Sequence, residues 1–335
     1  MKKKFLALVM TLSMVLSLVP VTALATEEEE GETSPAGNTI YVDANSTKDG
    51  DGNGSEENPY KSLVTAVKKA TSGDTIILGK GNYTLYKINS AETTKGKDLT
   101  FIGQGADKTG WNIGAEVPDP AHFGTEYNGD YSFDGAGTVT FQNMTLRSGA
   151  ANYLGFIRAD KTIVKDCIIN GKTFYWGYIS AEFIHTTFNC PPGDYALWTY
   201  SSPTMTFDNC TFNSSGKVIN VYTDYDADKH DITVNFKNCT VNSTALESLS
   251  VMNINDSNMG SFKYVINFSG VNTVNGIKAD GIESTDGSHA STAYNTENKK
   301  KTSAQATCSK LFEFNMKYGN GNSGKTIVNM DTKPV

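Results

Sequence analysis

The stretch whose reading decides the fold is Thr206–Asn213, TFDNCTFN, because it returns. Phe141–Leu146 reads FQNMTL, Val164–Asn170 VKDCIIN, Phe183–Asn189 FIHTTFN and Phe236–Asn242 FKNCTVN. The equivalent residues Phe141, Val164, Phe183, Phe207 and Phe236 stand 23, 19, 24 and 29 residues apart. That interval suits a solenoid that makes one coil per copy, with loops of varying length between copies.

The phrase has a physical reading. Phe207 ends one short strand facing inward, Asn209 turns the chain, and Cys210 and Phe212 face inward around an outward Thr211. Asparagine tolerates the left-handed conformation that such a turn needs, and its amide is expected to bond the amide of the next coil. Cys167, Cys210 and Cys239 share one slot of the repeat with Met144 and Thr186, so the slot is read as a packing position. Asn209-Cys210-Thr211 and Asn238-Cys239-Thr240 also match the N-glycosylation sequon, but the turn and strand by themselves require Asn followed two residues later by Thr.

Upstream, residues 40–83 carry a second pattern that includes YVDANSTKDGDGNGSEENPYKSLVTAVKKATSGDTIILGKGNY. Asn58-Pro59 is expected to start a helix with Tyr60, Leu63, Val67 and Ala70 on one face, ended by Gly73-Asp74 before a strand at Thr75–Leu78. Such a helix would cover the open edge of the first coil. These residues resemble the N-terminal cap of pectin-lyase-like proteins secreted by Gram-positive bacteria, and the resemblance continues through the repeat to about Val274. It implies an all-β fold, a single-stranded right-handed parallel β-helix of about seven to ten coils with an N-terminal capping helix. Such folds host polysaccharide lyases, glycosidases and adhesins alike, so the fold alone selects no chemistry.

The rest of the chain narrows the setting. Lys2, Lys3 and Lys4 precede an apolar run from Phe5 to about Val21, and Ala23-Leu24-Ala25 supplies a small-x-small cleavage pattern. Residues 1–25 therefore read as a signal peptide, 26–38 as an acidic linker containing Glu27–Glu30, and 39–335 as the β-helix. The chain carries a formal charge of −7, and losing those three lysines makes it more acidic still. With no basic stripe, nucleic acid is not an expected partner, and no membrane insertion is expected after cleavage. The five cysteines show no paired C-x-x-C spacing, so they do not suggest zinc.

Catalytic motifs are sparse. A uronate lyase needs a strong base and usually calcium, yet Arg147 and Arg158 are the only arginines and neither sits in a lyase motif. The clustered aspartates of a galacturonase-type hydrolase are missing too. Asp224, Asp226 and Asp228 alternate as calcium ligands do, with Asp231 nearby. Asp49–Gly54 begins like an EF-hand loop but places Tyr60 where the twelfth-position Glu belongs. Calcium is thus the one ion the sequence suggests, and a polar loop is the competing reading at both places. His185 fills the turn slot held elsewhere by Asn or Asp, which points to architecture.

Binding has a stronger pattern. Residues 155–158 (GFIR), 175–178 (YWGY), 197–200 (LWTY) and 219–222 (INVY) align as one strand per coil. Ile157, Gly177, Thr199 and Val221 form a small or aliphatic inward set. Phe156, Trp176, Trp198 and Asn220 then face outward, with Arg158, Tyr178, Tyr200 and Tyr222 beside them. Sugar faces stack on exposed rings, while tyrosine hydroxyls and an arginine bond sugar hydroxyls or a uronate. A register slip of one residue would instead put these rings in the core. The expected function is non-catalytic binding of a polysaccharide or host glycan at Arg158, Trp176, Tyr178, Trp198, Tyr200 and Tyr222. A lyase or hydrolase acting on uronate polymers, with calcium on Asp224, Asp226 and Asp228, and a passive stalk are the alternatives. Past Val274, Asp280–Thr307 reads as a long polar loop, with further strands at Cys308–Lys317 and Thr326–Asp331; further domains of a longer surface protein fit the same reading.

Overall fold

A computed structural model describes residues 37–48, 50–84, 93–112, 133, 135–147, 159–171, 173–174, 177–190, 197–199, 204–214, 217–222, 231–243, 250–255, 263–283, 290–297, 310–316 and 325–331. The chain divides into two compact units, Met1–Ser34 and Pro35–Val335, and every described residue belongs to the second. Among the described residues no helix is long and apolar enough to cross a membrane.

The fold is a parallel β-helix with three sheets. Its first sheet stacks ten strands in chain order: Thr39–Val42, Thr75–Leu78, Leu99–Ile102, Thr138–Gln142, Lys161–Lys165, Ser180–Ile184, Thr204–Asp208, Ile232–Lys237, Lys263–Ser269 and Lys325–Met330. After each of the middle strands the chain turns a corner and enters the second sheet, where Thr145–Arg147, Ile168–Asn170, Thr187–Asn189, Thr211–Ser214 and Thr240–Ser243 lie in parallel. A third sheet holds Thr173–Phe174, Leu197–Thr199, Lys217–Tyr222, Ser250–Asn255 and Lys310–Met316.

Register turns the sequence repeat into columns. Phe101, Phe141, Val164, Phe183, Phe207, Phe236 and Phe268 are successive backbone partners in the first sheet and all are buried. Their rings stack at nearly the strand spacing: Phe183 to Phe207 is 5.1 Å, and Phe207 to Phe236 and Phe236 to Phe268 are each 5.3 Å. Leu146, Ile169, Phe188, Phe212, Val241 and Val274 make the matching column of the second sheet. The two columns face each other and form one continuous core. The inward placement of Phe207, Cys210 and Phe212 follows the expectation from the phrase.

The corners hold the expected backbone. Asn143, Asp166, His185, Asn209 and Asn238 all have φ between 48° and 56°, the left-handed region that Asn and Asp enter most cheaply among non-glycine residues. His185 at φ 48° is therefore part of the turn, as expected. The slot that follows does more than pack. Cys167 Sγ donates to the Lys165 carbonyl at 3.2 Å, and Thr186 Oγ1 to the carbonyls of Val164 and Ile184 at 3.2 and 3.0 Å. Cys210 Sγ reaches the Phe183 carbonyl and Cys239 Sγ the Phe207 carbonyl, each at 3.3 Å. Several of these carbonyls also accept a backbone N–H, Lys165 from Asn143, Ile184 from Asp166 and Ser269 from Asn238, so the side-chain donor adds a second bond to an oxygen that has two lone pairs. Asn272 ends the series in the same slot, donating from Nδ2 to the Phe236 and Ser269 carbonyls.

At the N-terminal end the helix is Leu63–Lys69, capped by Ser62, whose hydroxyl accepts the Thr65 N–H at 3.3 Å. It thus begins four residues later than Pro59, because Tyr60 is held in an extended conformation: its N–H donates to the Tyr41 carbonyl and its carbonyl accepts from Asp43. Leu63, Ala66 and Val67 enter the core. Gly54 and Tyr60 thereby pair with the outer edge of the first strand, so loop and helix together close it.

The C-terminal end corrects a second expectation. Part of the segment 280–307, read as a polar loop, forms the strands Gly281–Glu283 and Ala290–Tyr294; just before it, Ile277–Lys278 turns back at Asn275-Gly276 to pair antiparallel with Thr273–Val274. Ala290–Tyr294 pairs antiparallel with Lys310–Met316, and Gly281–Glu283 with Ala290–Tyr294. Ala279 and Ala293 are buried, and Ile277, Ile282 and Met330 pack on the core, so apolar residues dispersed among polar ones make the closure. The strands expected at 308–317 and 326–331 are present as Lys310–Met316 and Lys325–Met330. Replacing Phe207 by Ala is expected to cost about 3–5 kcal/mol, read from urea denaturation, because the site lies between two stacked rings that hold their spacing.

Candidate functional site

The described aromatic positions, Tyr178, Trp198 and Tyr222, belong to the third sheet and to the bend that leads from it into the first. Trp198 lies in Leu197–Thr199 and Tyr222 at the end of Lys217–Tyr222, where its backbone partner is Asn255; their side chains are outside the described part of the structure. Arg158, Trp176 and Tyr200 lie outside the described residues, as do Asp224, Asp226 and Asp228.

Half of the expected alignment agrees with the register. Leu197, Trp198 and Thr199 pair with Ile219, Asn220 and Val221, as the repeat implied. Trp176, however, is not opposite Trp198; Phe174 is. The strand there is Thr173–Phe174, and the chain has already turned at Gly177. That glycine has φ +75°, and a Cβ on it would overlap the Ser180 carbonyl, so Gly177 marks a bend and not an inward strand position. Tyr178 and Ile179 follow, donating their N–H groups to the Ala159 and Asp160 carbonyls. Tyr178 thus belongs to the corner beside the sheet.

The register adds a column that the sequence alignment did not reach. Trp198 shares its position with Asn220, Asn253 and Asn315. Flanking positions are mostly apolar: Leu197, Ile219, Met252 and Phe314 on one side, and Thr199, Val221, Ile254 and Met316 on the other. Next to it, Tyr178 is 40% and Ile179 52% exposed, two of the three large exposed hydrophobic side chains among the described residues.

Asparagine ladders run along the other sheets. In the second sheet Asn189 Nδ2 donates to Asn170 Oδ1 at 2.6 Å, Asn213 to Asn189 at 2.7 Å and Asn242 to Asn213 at 2.9 Å. In the first, Asn267 donates to Asn235 and Asn329 to Asn267. The ladder was expected at the turn residue. Asn209 instead donates to its own neighbour Asp208, while at the same turn slot His185 meets Asp166 of the preceding coil and Asn238 accepts the Val271 N–H of the following one. The final Asn of each phrase, on a straight strand, was the signal.

Charges gather at the same corners. His185 Nδ1 lies 3.3 Å from Asp166 Oδ1, and Lys237 Nζ 2.8 Å from Asp208 Oδ2. These exposed pairs are worth about 0–1 kcal/mol each and sit on a convex edge. No group of three or more His, Cys, Asp or Glu side chains is placed to share a metal among the described residues. In the loop that begins like an EF-hand, the Asn53 side-chain oxygen accepts the Ser55 N–H, and the N–H groups of Asn53 and Gly54 go to the Asn58 carbonyl. Neither protein-family models nor curated protein sequences match this chain.

Burial pushes Cys167 up to about 12, so it stays protonated at neutral pH. Because the folded value is the higher one, this stabilisation is complete below about pH 8.5 and is lost as pH rises toward 12, where only the unfolded chain ionises readily. Cys167→Thr, which keeps a donor in the slot, is therefore expected to reduce the loss of stability between about pH 9 and 12; urea midpoints measured across that range check it.

Proposed function

We propose that this chain is a secreted or cell-surface β-helix domain that binds a polysaccharide or host glycan without transforming it. The observation that carries the reading is the exposed Tyr178–Ile179 corner, four residues after Phe174, the backbone partner of Trp198. Exposed aromatic surface beside a polar sheet column suits the flat apolar faces and ring hydroxyls of sugars. Trp176, Trp198, Tyr178, Tyr200 and Tyr222 are the stacking positions, and Arg158 is the polar clamp. The apolar segment before Ala25 supports export, and the cap pattern at 40–83 supports kinship with pectin-lyase-like proteins of Gram-positive bacteria. Calcium on Asp224, Asp226 and Asp228 belongs to the proposal as an ion that orders the loop next to Tyr222.

The test is a glycan array probed with the full chain, with and without calcium, each glycan afterwards checked for cleavage. Trp176→Ala, Trp198→Ala and Tyr178→Ala are each expected to weaken binding about tenfold, the loss of one stacking contact. Unchanged binding in all three would remove the aromatic site. Cleavage with unsaturated products would make the protein a lyase, and silence on every glycan would leave a structural stalk.

A further inference from the structure

The corner slot runs along the helix as Met144, Cys167, Thr186, Cys210, Cys239 and Asn272, one residue per coil. Thr186 separates Cys167 from the other two cysteines, so Cys210 and Cys239 alone occupy neighbouring coils. Cys190 lies at the far end of its second-sheet strand, with its N–H on the Asn213 carbonyl, and belongs to another column. Cys308 is outside the described residues.

We propose that Cys210 and Cys239 form a cross-linking site at which a disulfide joins two adjacent coils, made by exchange with a disulfide-bearing oxidant. Thr211 and Thr240, which follow them, are backbone partners, and the Thr240 N–H donates to the Cys210 carbonyl at 2.9 Å. The two cysteines are therefore one strand spacing apart, about 4.8 Å, inside the Cα separation that a disulfide spans. Both thiols are buried and act on each other: a hydrogen bond from Cys210 lowers Cys239, while burial and then Cys239 raise Cys210.

One of the two thiolates attacks the oxidant's S–S bond, forms a mixed disulfide and expels one thiolate. The other cysteine then attacks the protein sulfur of that mixed disulfide and releases the second half of the oxidant. Two protons leave the protein thiols, and the oxidant is reduced to two thiols. The bridge replaces S–H donors, which are weak, so little hydrogen bonding is lost. It closes into a ring the whole coil that carries Lys217–Tyr222 and Asp224–Asp228, the segment holding Tyr222 of the proposed glycan face and the acidic loop. This cross-link stands on the fold and is independent of whether a glycan binds.

Because both sulfurs are enclosed once folding is complete, the exchange belongs to folding. The full chain is refolded from denaturant with oxidised glutathione or with reductant. Remaining thiols are then alkylated under denaturing conditions, and the digested peptides are weighed. The expected result is a Cys210 peptide joined to a Cys239 peptide with the mass of two hydrogen atoms missing, and a higher urea midpoint for oxidised than for reduced protein. Cys239→Thr should fold, since Thr186 fills the same slot two coils away, and should lose both the linked peptide and the midpoint difference. If that variant does not fold, Cys210→Thr and the linked-peptide map of the unaltered chain decide. Alkylation of Cys210 and Cys239 after oxidative refolding, or their linkage to other cysteines, would overturn the proposal.

Discussion

The structure depends on one constraint: neighbouring coils must stay in register, so that left-handed corners stack on corners and buried columns on buried columns. The slot after each corner adds a side-chain bond to a backbone carbonyl. Cys167, Thr186, Cys210, Cys239 and Asn272 differ in shape, but all carry a hydrogen that points back at a carbonyl. The corner therefore does two jobs, turning the chain between sheets and locking the register of neighbouring coils. A slip of one residue would move every phenylalanine to the wrong face.

With register fixed, like side chains meet like. Phenylalanines stack along the inside, and asparagines form amide ladders along the first and second sheets, so each coil is a template for the next. The same templating makes the ends hazardous, because an open coil is an adhesive edge. The N-terminal edge is closed by backbone pairing with Gly54 and Tyr60 and by the short helix. At the other end, antiparallel strands reverse the direction of the second and third sheets, so that parallel growth cannot continue there.

The candidate site inherits its geometry from this scaffold, and its legibility was uneven for the same reason. Where strands are long and corners uniform, as in the Phe207 and Phe212 columns, the spacing of the repeat names the partners directly. The third sheet has strands of two to seven residues between loops of changing length, so alignment by similarity put Trp176 opposite Trp198 where Phe174 stands. Gly177 was the clue: a glycine at a bend counts toward the turn and not toward the strand.

The sequence by itself determined the solenoid, the turn residues, the inward and outward faces of the repeat and the presence of an N-terminal cap, because each is a local matter of side-chain period and backbone conformation. Only the tertiary structure decided which asparagines bond one another, which carbonyls the cysteines serve, how the last coil is closed and which residue faces Trp198. Those depend on distances between coils that lie 20 to 30 residues apart, and the lengths of the loops that set them are not written in any short stretch.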